Sequence, residues 1–184
     1  MRDESDRLVK EALQARRENR PIDAKRDLIE AVAVCRRAGL QTELARALTS
    51  LGQIERDLHC DDAAFQHYEE AAAIYRSEGD VLKLAHTIRH VADIHRHTRS
   101  YALAESGYAE SLHLYRSHEE TPQLDLANAL RGWALLKEAT GEIIEARSLW
   151  QEAKSLYAEV RVEAGVAESA RRLNHLEASR GLTD

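Results

Sequence analysis

The chain has 184 residues, 43% hydrophobic and 32% charged, with eight glycines, two prolines and a formal net charge of −6 at pH 7. That length buries a sizeable core, and sparse Gly and Pro favour helix nearly throughout. The acidic balance argues against a generic polyanion binder, and two cysteines without CxxC spacing exclude a disulfide framework or a structural zinc site.

In chain order, the opening MRDESDRLVKEALQ lacks the apolar core of a signal peptide, and no later run reaches the ~20 apolar residues of a membrane span. A soluble, cytoplasmic protein is expected, with Cys35 and Cys60 as reduced, half-buried helix residues. Over residues 5–40, Leu8, Ala12, Ala24, Leu28 and Ala31 predict a helix pair broken at Asn19 to Pro21, where Pro21 suits a first helical turn. The stretch 41–80 repeats the pattern with Leu44-Ala45, Gly52, Ala64, Tyr68 and Ala71, broken at Cys60 to Asp62 and stopped by Gly79. Residues 81–122 follow with Leu84-Ala85, Ala92, Ala104, Tyr108 and Ser111, broken at Thr98 to Ser100. Residues 123–163 carry Leu126-Ala127, Ala134, Ala146, Trp150 and Ala153, broken at Thr140 to Glu142. A last helix over 164–180 reads as a solvating cap. The Asp, Ser and Thr of the breaks are expected to cap the helices that follow them.

The leading pairs, closing with Val166-Ala167, recur at spacings of about 40, 42 and 40 residues. Small residues in both helices of a pair allow close approach, and the large ring fills the gap toward the next pair. This frame resembles the tetratricopeptide repeat family over roughly residues 5–180, in the extended form of kinesin light chain. It departs from the family in its longer period and in lacking the proline that ends the second helix; Arg76, Arg116 and Ala158 stand near that place. The resemblance implies an all-α, right-handed α-solenoid of antiparallel helix pairs with a C-terminal capping helix, forming one domain over 1–184. It also implies that the first helix of each pair lines a concave groove.

The stretch AHTIRHVADIHRHTRS, Ala85 to Ser100, separates on a helical wheel into two faces. Ile88, Val91, Ala92, Ile94 and His95 pack; His86, Arg89, His90, Asp93, Arg96 and His97 form the other, groove-facing side. Equivalent positions elsewhere are Asp6, Arg16 and Arg17, then Arg46, Thr49, Gln53, Arg56 and Asp57, then Asn128, Arg131, Leu135 and Glu138, and Arg171 and His175 of the cap. Arg16, Arg56 and Arg96 share one frame position; Arg89, Arg131 and Arg171 share another. Such guanidinium rows suit carboxylate or phosphate. The expected function is therefore non-enzymatic recognition of an acidic or phosphorylated protein segment. The expected contacts are Arg16, Arg46, Gln53, Arg56, His86, Arg89, Asp93, Arg96, Asn128, Arg131 and Arg171, some of the arginines pairing instead with Asp57, Asp93 or Glu138. Charging of His86, His90 and His97 beside arginines would add pH sensitivity. Asn128 and Arg131 are the nearest equivalents of the family's carboxylate clamp, but no groove lysine accompanies them.

Other readings have less support. His86, His90, Asp93 and His97 could anchor only a weak metal site, because His86 and His97 lie about three turns apart and Thr87 breaks any HExxH pattern. No GxSxG elbow or glycine-rich phosphate loop is present, and no catalytic residue or cofactor is expected. Nucleic acid would need an aromatic stacking platform, whereas Tyr68, Tyr108, Tyr115, Trp133 and Trp150 fall at packing positions. Self-assembly through an end repeat or the cap helix is the alternative of another class.

Overall fold

The structure, a computed structural model, describes residues 1–180. Among the described residues it is helical with short links: α1 (Arg2–Arg17), α2 (Pro21–Ala38), α3 (Gln41–Asp57), α4 (Asp61–Glu78), α5 (Val81–His97), α6 (Tyr101–Arg116), α7 (Gln123–Thr140), α8 (Ile143–Glu159) and α9 (Glu163–Arg180). No helix among them is long and apolar enough to cross a membrane. The chain divides into two compact units, Met1–Val91 and Ala92–Asp184, with the division inside α5.

Most links close by one device. Asn19, Gly39, His59, Gly79, Arg99, Gly141 and Arg161 adopt positive φ, between 56° and 82°. The residue after each donates its N–H back to the last helical turn: Arg20 to the Ala15 carbonyl at 2.8 Å, Cys60 to Glu55 at 2.8 Å, Ser100 to His95 at 2.8 Å and Val162 to Tyr157 at 2.9 Å. This left-handed closure satisfies the orphan carbonyls of a helix end. Its position recurs every 20 residues from Asn19 to Arg99, and again from Gly141 to Arg161. The link after α6 differs: Ser117 is right-handed, and the Thr121 hydroxyl caps the Tyr115 carbonyl at 2.5 Å. The expected N-caps are mostly corrected. Cys60, Ser100 and Glu142 hold N-cap positions without side-chain cap bonds, although Asp80 does accept from the Lys83 N–H at 3.1 Å. Pro21 sits in the first turn of α2.

In the first unit, pairing across helices gives their directions. Ser5, early in α1, touches Cys35, late in α2, at 2.9 Å, and Lys25, early in α2, reaches Glu55, late in α3. Consecutive helices therefore run antiparallel. Arg2 pairs with Glu43 and Arg16 with Asp57, so the first helices α1 and α3 lie side by side and parallel. The buried apolar side chains of this unit include Leu8, Ala12, Leu28, Val34, Leu48, Ile54 and Tyr75, each large one contributing about 1.5–3 kcal/mol. Tyr68 lies over Gly52, where an added Cβ would stand 2.8 Å from the ring. Cys35 is fully buried and Cys60 is exposed just ahead of α4; both are free thiols, so neither is the half-buried helix residue expected.

In the second unit, Tyr108 packs with Ala92, Ala104 and Leu136, and Trp150 with Ala134, Ala146 and Leu176. The small-residue and ring frame read from the sequence is thus the packing frame. Lys137 is buried, its ammonium held by Glu105 (2.6 Å), Glu142 (2.6 Å) and Glu145 (2.9 Å). Burial alone would depress its pKa, but the three carboxylates outweigh that and hold it raised.

Candidate functional site

In the first unit the expected contact residues come from α1, α3 and α5, first helices in each case. Arg16 grips Asp57 with two nitrogens, at 2.7 and 3.3 Å, and donates to the Gln53 amide oxygen at 3.0 Å. Arg46 meets Asp6 at 3.4 Å. Thr49 is buried and donates to the Ala45 carbonyl. Arg56, His86 and Arg89 converge on His90. An Arg56 Nη lies 2.9 Å from its Nδ1, an Arg89 Nη lies 2.8 Å from its Nε2, and His86 Nε2 lies 3.1 Å from that same Nε2. The His90 ring stacks flat on Tyr68, with centroids 5.0 Å apart.

Arg89, His90 and Asp93, on the polar side of the wheel, are buried, at 9%, 9% and 8% exposure, whereas His95, assigned to packing, is half-exposed. Burial holds His90 well below the ordinary histidine pKa, reinforced by electrostatic repulsion from Arg89, His86, Arg56 and Arg16. The ring is therefore neutral near pH 7. A neutral imidazole has one lone pair, so it accepts from only one of the two guanidinium groups that face it. The other contact is donor against donor.

In the second unit, Tyr108 donates to Asp93 at 2.7 Å and accepts from Arg96 at 3.2 Å; burial first, then Asp93, pushes the phenol pKa up. The two clamp-like residues have different partners. Asn128 accepts from the Tyr157 hydroxyl at 2.8 Å, while Arg131 forms a two-bond fork with Glu168 of α9, at 2.7 and 2.8 Å. Glu138 accepts from Trp150 and pairs with Arg172. Arg171 is exposed on α9. Among the described residues no group of three His, Cys, Asp or Glu side chains could hold a metal ion.

The pairing of an arginine with Asp57 was expected from the sequence, and Arg16 makes it. Two groupings were missed. Glu168 completes the fork of Arg131, and its spacing of 37 residues, close to one repeat, was the available signal. Glu55, His95 and Lys137 stand three residues after Gly52, Ala92 and Ala134. That shared position places a polar group on an otherwise apolar face, and two of the three are buried.

The model of the family described as soluble NSF attachment protein, SNAP, matches residues 2–121 of the 184. The chain belongs to this family. No curated protein matches its sequence significantly. The SNAP-family chain is similar to solved structures that show its fold as TPR-like, an α-solenoid of helix pairs. BtubC (BKLC) from P. vanneervenii superimposes with a TM-score of 0.76 at 17% identity, over 85% of this chain and 64% of that one. A Rap protein complexed with Competence and Sporulation Factor gives 0.82 at 16% identity, over 98% and 50%. Kinesin light chain-type, nearly identical TPR-like repeats from Podosopora anserina give 0.67 at 13% identity, over 96% and 95%. The chain thus spans less than two thirds of BtubC and half of the Rap protein. The resemblance to extended tetratricopeptide repeats holds.

Proposed function

We propose that the protein is a non-enzymatic interaction module whose first-helix face takes an acidic or phosphorylated segment of a protein partner. The observation that carries this reading is the convergence of Arg56, His86 and Arg89 on the buried His90 in the first unit. Gathering guanidinium groups in a poorly hydrated place costs stability and strengthens each contact with an anion. TPR-like repeats generally mediate protein–protein interaction, and the Rap neighbour holds Competence and Sporulation Factor in its structure. The forks at Arg16 and Arg131 and the single contact of Arg46 to Asp6 tie those three residues first to neighbouring helices and only second to a ligand.

The test is a fluorescence-anisotropy screen of acidic and phosphorylated peptides against wild type and Arg56→Glu/Arg89→Glu. A peptide bound with micromolar affinity by the wild type and lost at least tenfold in the double variant supports the reading. Equal binding by both, with both folded by circular dichroism, overturns it.

A further inference from the structure

We propose that the solvent-facing stripe of α2 around Ile22 and Ile29 is a self-association surface, on which a second copy of this chain lays its own α2 in antiparallel orientation. This goes beyond the reading above and uses none of its site residues.

Ile22 and Ile29 are 67% and 50% exposed. With Arg26 and Ala33 they fall at i, i+4, i+7 and i+11, one stripe along α2 on the side opposite the buried Ala24, Leu28, Ala31 and Cys35. The packing frame recurs in the other second helices and supplies an internal comparison. The positions of Ile22 and Ile29 are taken by Asp62 and Glu69 in α4, by Ala102 and Ala109 in α6, and by Ile144 and Gln151 in α8. All six are exposed. Among these four helices, only α2 sets two large apolar side chains on a face that the frame leaves to water. A lone exposed isoleucine such as Ile144 is ordinary, whereas two at heptad spacing suit the pairing of helices.

The charges beside the stripe select the occupant. On one flank Lys25 is tied to Glu55 of α3 and Arg36 to Glu70 of α4, so that flank is neutralised within the chain. The other flank carries Arg26 and Glu30, opposite in sign, four residues apart and both exposed. Arg26 touches Asp23 and Asp27 yet keeps 70% of its side chain exposed. In a two-fold antiparallel pair of identical helices each flank meets the same flank of the other, and contacts are reciprocal. With the axis level with Leu28, Arg26 of each copy stands opposite Glu30 of the other. That register also brings Ile29 against Ile29 and Ile22 against Ala33 across the axis. Apolar and ionic matching coincide, and one helix supplies both halves of the match.

The association is expected to be weak. A single helix stripe lies at the low end of interface sizes, which points to a dissociation constant of about 100 µM. The exposed charges fix register more than they add affinity.

The experiment is sedimentation equilibrium of the full chain from about 10 µM to about 1 mM at low ionic strength. The wild type should dimerise reversibly; Ile29→Asp should weaken the dimer at least tenfold, and Ile144→Asp should leave it unchanged. Arg26→Glu and Glu30→Arg set like charges across the axis and should each weaken it at least threefold. Mixed in equal amounts, these two variants should pair with each other as strongly as the wild type does, because each then meets the opposite charge. NMR spectra of the wild type through the same dilution should shift the amides of residues 22–33 and leave those of residues 62–69 in place. A wild type that stays monomeric overturns the proposal without any variant. So does a dimer that Ile29→Asp does not weaken, a mixture that recovers nothing, or dilution shifts that miss α2.

Discussion

Glu168 of α9 holds Arg131 of α7 by a two-bond fork, Nε to Oε2 at 2.7 Å and Nη2 to Oε1 at 2.8 Å. It repeats in the second unit what Asp57 does for Arg16 in the first. Glu168→Gln should lower stability by about 1 kcal/mol, since Arg131 is partly exposed and solvent screens the pair. The Arg131 hydrogen bonds hold the Glu168 carboxyl below its ordinary pKa. Its contribution is then present above the usual glutamate value and fades as pH falls through the lower folded value. Urea melts at pH 7 and pH 3.5 should show the variant's deficit at the first and little at the second.

Lys137 presents the opposite balance, a buried cation served by half-exposed acids. Lys137→Met keeps the apolar stem and leaves Glu105, Glu142 and Glu145 to repel one another. Those carboxylates reach water, so the loss should be about 1–2 kcal/mol rather than the ~3–5 expected for a fully buried pair. Thermal melts in 0.5 M NaCl should recover part of it by screening. Because the folded ammonium pKa is raised, the wild-type contribution is complete below the ordinary lysine value and is lost only in stronger base.

A Cβ on Gly132 would lie 2.6 Å from the Tyr108 ring and 2.9 Å from its hydroxyl. Gly132→Ala should therefore displace the ring, break its bond to Asp93 and cost about 2–3 kcal/mol. Gly39 adopts φ 67° with open space around it, so Gly39→Ala should cost only about 1 kcal/mol. Calorimetry of the two variants separates steric crowding from backbone strain. Equal losses would show that the contact is not tight.

Asn19, His59, Arg99 and Arg161 place exposed side chains on left-handed backbone. L-residues pay about 1 kcal/mol for that conformation, which glycine avoids. Arg99→Gly and Arg161→Gly should each raise the melting temperature by about 2–4 °C. A fall in both would mean that these side chains make contacts that outweigh the strain.

The helix pairs were legible because a 40-residue frame of Leu-Ala, small residue and ring is dictated by packing, and packing recurs wherever the pair recurs. The shorter 20-residue rhythm was hidden, since four of its seven turn residues are not glycine and only backbone geometry reveals them. The burial of Arg89 and His90 was hidden for a different reason. A wheel allots one buried arc to each helix, yet α1 and α3 show that first helices also pack beside one another, which encloses part of the polar arc. The fork Arg131–Glu168 joins residues 37 apart, and nothing local in either segment indicates it.

The even spacing of the left-handed turns has a consequence for tolerated change. A single-residue insertion within any of these helices turns every later side chain by about 100° and strips its pairing with the neighbours. The segment from Ser117 to Pro122 is already out of phase with the other turns and is closed by a threonine hydroxyl instead. That is where length variation among homologues should accumulate, and where a reporter sequence could be spliced with the least disturbance.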